Sequence, residues 1–160
     1  MRATHTSDRS CPECGAAGAA TGEACELRFQ GLGTERFDDS ELASDWRLVV
    51  DCYSLQHDRY ILSGRSLAAH LTGVCIAIEN AGDPALLSLV QQWLSRTREL
   101  VKPAVPEHRG DVTINDVITA APEERHDVVL KWAASSWRAW SGHQLLARGW
   151  IAAARGAPAG

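Results

Sequence analysis

The sequence predicts an all-α protein, a four-helix-bundle-like single domain with an irregular N-terminal zinc-binding segment. Three observations predict it. From Glu41 onward, apolar residues recur at helical spacing through four long segments. Short breaks carrying Gly, Pro or Ser/Asp caps separate those segments. The first forty residues sustain no periodicity, are rich in Gly and Ala, and hold Cys11, Cys14 and Cys25. At 160 residues the chain is of single-domain size. The expected organisation is an irregular Cys-containing segment over 1–40, a helical bundle over 41–153 and a frayed tail over 154–160.

The first helix is expected from Glu41 to about His57, with Ser40 as its N-cap and Leu42, Trp46, Val49 and Tyr53 on one face. The second runs through "RSLAAHLTGVCIAIENAG", where Leu67, Leu71, Val74 and Ile78 form a stripe and Gly82 supplies the stop. Asp83 and Pro84 then read as N-cap and first residue of a third helix, with Leu86, Val90, Trp93 and Thr97 inward. In "VTINDVITAAP", Thr113 and Asp116 at capping-box spacing favour a short helical turn over a strand. The last segment is read as the longest helix. It carries Val129, Trp132, Ser136, Trp140, His143, Ala147 and Trp150 on one face, and Ser141-Gly142 is a point of bending.

A net charge of −4 with scattered basic residues leaves no footprint for nucleic acid or an anionic membrane. No apolar run approaches a membrane span, and the N-terminus has no secretory h-region. The expected location is cytoplasmic, and the partner left open is a small-molecule ligand. Nothing in the sequence speaks to oligomeric state.

In a reducing compartment, five cysteines are ligands, core fillers or reactive groups rather than disulfide partners. "CPECG" puts two thiols on one tight turn, and Gly15 lets backbone amides approach them. With Cys25 this makes C-x2-C-x10-C. A redox C-x-x-C belongs at a helix start beside a strand, and "GAAGAATG" is poor helix material, so a metal is preferred over a redox pair. Zinc is the expected ion, with iron as the alternative. A fourth ligand is required, for which His5, Cys52 and His57 are candidates. His57 is preferred because it would tie the loose segment to the bundle. For Cys52 and Cys75 core packing is preferred.

The periodicity turns His57, His70 and His143 inward from three helices, the arrangement from which bundles build metal or catalytic sites. Asp51 follows Arg47 by four residues, the spacing of a helix-surface ion pair, and is also a candidate base. Gln56, Ser63 and Ser66 lie where capping is the simplest role. The tryptophans at 132, 137 and 140 span more than one face, so one of them is a candidate wall for a cavity. His108 and His126 are expected to be solvated.

"CPECGA", "WRLVVDCYSLQH", "SGRSLAAHL" and "WAASSWRAWSGH" together resemble a family of small bacterial proteins of unknown function. Its members share CPxCG, VDxYxLQHP, SxxSxxxHL and WAxxxWxxWxxHH motifs. The resemblance runs from about Cys11 to Trp150 and implies no known activity. It picks out Cys11, Cys14, Cys25, Asp51, Tyr53, Gln56, His57, Ser63, Ser66, His70, Trp137, Trp140 and His143. Asp58 replaces the family's proline and Gln144 its second histidine. More distantly, the architecture is similar to damage-inducible metal-dependent bundles, which include thiol transferases.

The expected site is therefore a zinc ion on Cys11, Cys14, Cys25 and His57. Beside it is expected a tryptophan-walled pocket in which Asp51, His70 and His143 would carry any acid/base chemistry. The alternatives are a non-catalytic zinc-stapled binding module and a bundle-interior metal centre of His57, His70 and His143.

Overall fold

The computed structural model describes residues 9–158, so His5 lies outside the described residues. Within them the chain forms seven helices and no strand: α1 (Gly22–Glu35), α2 (Ser40–Leu55), α3 (Gly64–Glu79), α4 (Pro84–Arg96), α5 (Ile114–Thr119), α6 (Arg125–Ala139) and α7 (Gln144–Gly156). Single 3₁₀ turns span Asp58–Tyr60, Pro122–Glu124 and Ser141–His143.

α3 is the central helix. It packs against α2, α4, α6 and α7, while α2 also meets α6 and α4 meets α7. The reason lies in its composition: Leu67, Ala68, Leu71, Val74 and Ile76 are all fully buried, so α3 is apolar on nearly every side, as a helix enclosed by neighbours must be. Its start is a capping box in which Ser63 and Ser66 serve each other's backbone amides. Its end follows the sequence, with Gly82 at φ +67° donating its N–H back to the Ile76 carbonyl at 3.0 Å.

Local signals hold elsewhere too. Asp83 caps α4 by accepting from Ala85 N–H at 2.9 Å, and Pro84 occupies the first turn. Thr113 and Asp116 form the expected capping box of α5. α2 begins one residue earlier than expected, capped by Asp39 rather than Ser40, because Asp39 accepts the Leu42 N–H at 3.0 Å. In α4, Leu94 joins Leu86 and Val90 in the core, whereas Trp93 is only half-buried.

Three expectations are corrected. The segment over 1–40 is not irregular throughout, since residues 22–35 form α1. Its glycines at 22, 31 and 33 hide it from a propensity reading. The helix stands because Thr21 caps it (Ala24 N–H to Oγ1, 3.1 Å) and because α2 packs on it. Phe29 stacks on Trp46 and Tyr53, and Gly33 leaves room for the Trp46 ring, which would lie 3.1 Å from a Cβ. Second, the longest helix is two helices, broken after Trp140 by the 3₁₀ turn at the expected bending point. Third, the tail is helical to Gly156, where Ala154 is fully buried.

Gln56 ends α2 as its C-cap residue, its N–H donating to the Tyr53 carbonyl at 3.1 Å, but its side chain serves elsewhere. Fully buried, its amide donates to the carbonyls of Val112 (2.9 Å) and Arg109 (3.3 Å) and accepts from the Trp132 indole (3.1 Å), locking α2, the 109–112 loop and α6 together. Replacing Gln56 with alanine leaves those groups unpaired and is expected to cost about 2–4 kcal/mol, read as a shift in the urea midpoint. An unchanged midpoint would show the network to be dispensable.

Candidate metal centre

Cys11 to Gly15 forms the turn that the sequence foretold. Gly15 N–H donates to the Cys11 carbonyl at 2.9 Å, and Gly15 sits at φ +79°, a conformation in which a Cβ would be strained. Both Cys11 and Cys14 are buried beneath it. The Cys11 N–H donates to the Ala16 carbonyl at 2.9 Å. Cys25 reaches the same point from the first turn of α1, and His57 reaches it from just past the end of α2.

The four ligand atoms all lie within 4.8 Å of one another. Cys14 Sγ is 3.7 Å from Cys25 Sγ, and Cys11 Sγ is 3.7 Å from His57 Nε2. A tetrahedral zinc with Zn–S bonds of about 2.3 Å and a Zn–N bond of about 2.0 Å sets ligand–ligand edges of roughly 3.5–3.8 Å, so these separations fit such an ion. The surroundings orient the ligands. His57 Nδ1 donates to the Tyr53 carbonyl at 2.7 Å, which turns Nε2 towards the sulfurs as the nitrogen that would bind an ion on losing its proton. The Tyr53 ring stacks on the imidazole at 4.0 Å. Glu13 braces the turn by accepting the Asp58 N–H at 2.8 Å. A proline at 58 would have no N–H for this bond.

The electrostatics are those of a site made for a cation. A hydrogen bond from Cys14, together with His57 and against the effect of burial, lowers the Cys25 thiol to about 4. The bond it donates to Cys25, and burial, push the Cys14 thiol up. Burial opposes charge on His57, but bonds to the Cys25 sulfur, the Tyr53 carbonyl and the Cys11 sulfur outweigh it and raise the imidazole to about 9.

The remaining expected residues part company. Asp51 and His70 do meet: Asp51 Oδ1 lies 2.8 Å from His70 Nδ1, with Arg47 Nε 3.1 Å from Oδ2. Asp51 is fully buried, and burial raises its carboxyl despite both partners. Gly73 on α3 makes this possible, since a Cβ there would stand 2.1 Å from Asp51 Oδ2. His143 does not join them. Displaced by the break between α6 and α7, it bonds the Ala104 carbonyl at 2.6 Å and packs edge-on to Trp140. The three imidazoles therefore go to three different places, and the bundle-interior histidine centre does not form. Trp132, Trp137 and Trp140 are all buried in the core. Cys52 and Cys75 are buried free thiols, as core packing requires. Tyr53 as a brace for the cluster is a role that reading missed, although its i−4 spacing from His57 was visible.

Fold and site together define an all-α protein with a buried Cys₃His cluster able to hold a metal ion. The chain belongs to the family of unknown function DUF5946, which it matches over residues 9–141. That span takes in all four cluster residues, Asp51 and His70, and stops short of His143. No curated protein and no solved structure matches the chain. Among the described residues no helix is long and apolar enough to cross a membrane.

Proposed function

We propose that this is a zinc-binding helical protein in which Cys11, Cys14, Cys25 and His57 hold one ion that fastens the N-terminal segment and α1 to the end of α2. The observation carrying this reading is the convergence of four buried ligand atoms, within 4.8 Å, from three separate parts of the chain. Four protein ligands complete a tetrahedral set and leave no open position, which is the pattern of structural rather than catalytic zinc. Bound there, the ion supplies folding free energy. Five free thiols accord with a reducing compartment, and so with a cytoplasmic location. The likeness to damage-inducible bundles rests on resemblance alone and adds nothing here.

Elemental analysis of wild type beside Cys11→Ser, His57→Ala and His143→Ala tests the reading. One zinc per chain, lost in the first two variants and kept in the third, is expected. Retention of metal in Cys11→Ser, or iron in place of zinc, overturns the assignment. Metal uptake should also release protons, because His57 with a pKa of about 9 and the raised Cys14 thiol are protonated at neutral pH, whereas Cys25 at about 4 is not. Apparent zinc affinity should therefore rise with pH through the neutral range towards pH 9. A pH-independent affinity in a competitive chelator titration contradicts this.

A second reading, acid/base chemistry on a small molecule, is favoured by one observation. Asp51 fixes the Nδ1–H of His70 and leaves Nε2 available on a side chain that is one-fifth exposed. Nitrogen NMR should find the Nδ1–H tautomer of His70 in wild type and its loss in Asp51→Leu. The opposite tautomer in wild type sinks the reading. A non-catalytic zinc-stapled binding module would have to take its partner elsewhere than on Trp132, Trp137 and Trp140, which are buried.

A further inference from the structure

A cavity of about 340 Å³ opens between α2, α3, α4 and α6 and shares no residue with the metal cluster. Its volume is in the range of small-molecule sites. Its walls divide by chemistry, with Leu48, Leu87 and Leu130 apolar and Asp45, Arg47, Asp51 and His126 polar.

The acceptors among these polar groups are already engaged. Asp51 takes His70 Nδ1 on Oδ1 at 2.8 Å and Arg47 Nε across both oxygens, at 3.1 and 3.3 Å. Asp45 meets His126 Nδ1 through both oxygens, at 2.9 and 3.1 Å. The donors are not engaged. Arg47 spends only Nε on Asp51, so its two terminal amino groups have no hydrogen bond among the described residues, and the same holds for His126 Nε2. Burying a carboxylate is costly unless it is well paired, and here α3 gives up a side chain at position 73 to admit it. What the arrangement secures is the orientation of Arg47: held by its inner nitrogen, the guanidinium, about two-fifths exposed, leaves its outer edge open to solvent or to a ligand at the cavity mouth.

An anion with two coplanar oxygens matches that edge, and the leucines behind it match a hydrocarbon chain. A cation would meet carboxylates already paired and the charge of Arg47. A neutral ligand would forgo the charge-assisted bonds. We propose that this cavity binds a small monocarboxylate, its carboxylate on the outer edge of Arg47 and on His126 Nε2, and its short hydrocarbon chain between Leu48, Leu87 and Leu130. The site is independent of the zinc reading.

Calorimetric titration of the purified full chain with butanoate and hexanoate, each beside its amide and its primary amine, and with inorganic phosphate, tests the proposal. Metal content is measured on the same sample, so failure here is distinct from failure at the cluster. Saturable binding of the acids is expected, tighter for hexanoate, with the amides weaker by about tenfold or more. Arg47→Gln should lose binding by a similar factor. Because it also strips a partner from Asp51, Leu130→Trp serves as a second variant that fills the apolar end, and it should abolish hexanoate binding with an unchanged melting temperature. No saturable binding of either acid, equal binding of acid and amine, phosphate binding as tight as hexanoate, or hexanoate binding that survives Leu130→Trp would each overturn it.

Discussion

Removing the ion proposed for the Cys₃His cluster, by chelation or by Cys25→Ser, is expected to destabilise the protein by about 3–5 kcal/mol, lowering the melting temperature by roughly 10–15 °C. The loss should be concentrated in one region. Of the side chains on α1, only Cys25 and Leu32 are fully buried, and three glycines weaken the helix, so apart from the cluster and the Phe29 stack it is held mainly by partly exposed polar contacts of Glu26, Arg28 and Glu35. Hydrogen exchange should therefore quicken over residues 11–35, while the amides of α3, enclosed by four helices, keep most of their protection. His143→Ala, remote from the cluster, should show neither effect on metal content nor fast exchange in α1. If chelation removes the ion and both the melting temperature and the exchange pattern stay as they were, the cluster is not a staple.

Gly73→Ala should cost about 3 kcal/mol or more, an unusually large effect for one methyl group. The new Cβ would stand 2.1 Å from Asp51 Oδ2 and 2.7 Å from its Cγ, so either the carboxylate leaves its pairing with His70 and Arg47 or α2 and α3 move apart. A double-mutant cycle separates this clash from loss of helix packing. Asp51→Ala removes the colliding group, so Gly73→Ala in that background should be nearly neutral. Equal costs in both backgrounds, read from urea midpoints, would mean that the glycine serves something other than Asp51.

Much of the architecture was legible because its signals are local. The capping boxes at Ser63/Ser66 and Thr113/Asp116, the Asp83-Pro84 start of α4 and the Gly82 stop of α3 involve residues two to six apart, and bonded geometry alone brings such residues together. The CPECG turn belongs with them, and so does the tautomer of His57, whose partner carbonyl is four residues back at Tyr53. α1 was not legible, since its composition argues against a helix and its support comes from Trp46 and Tyr53 on another element.

Periodicity named the faces of α2, α3 and the final helices but carried no information on height along them. Asp51 and His70, 19 residues apart, come level because Gly73 lets α2 and α3 approach. His143 drops out because the chain breaks after Trp140. Cys11 and His57 meet across 46 residues only once α2 is docked and the turn is folded onto its end. The chain thus carries its helices, caps and thiol turn in short-range covalent geometry. Which histidine completes the cluster, which one meets the buried carboxylate, and where Arg47 presents its free edge are settled by helix packing, because only packing sets distances between residues remote in sequence.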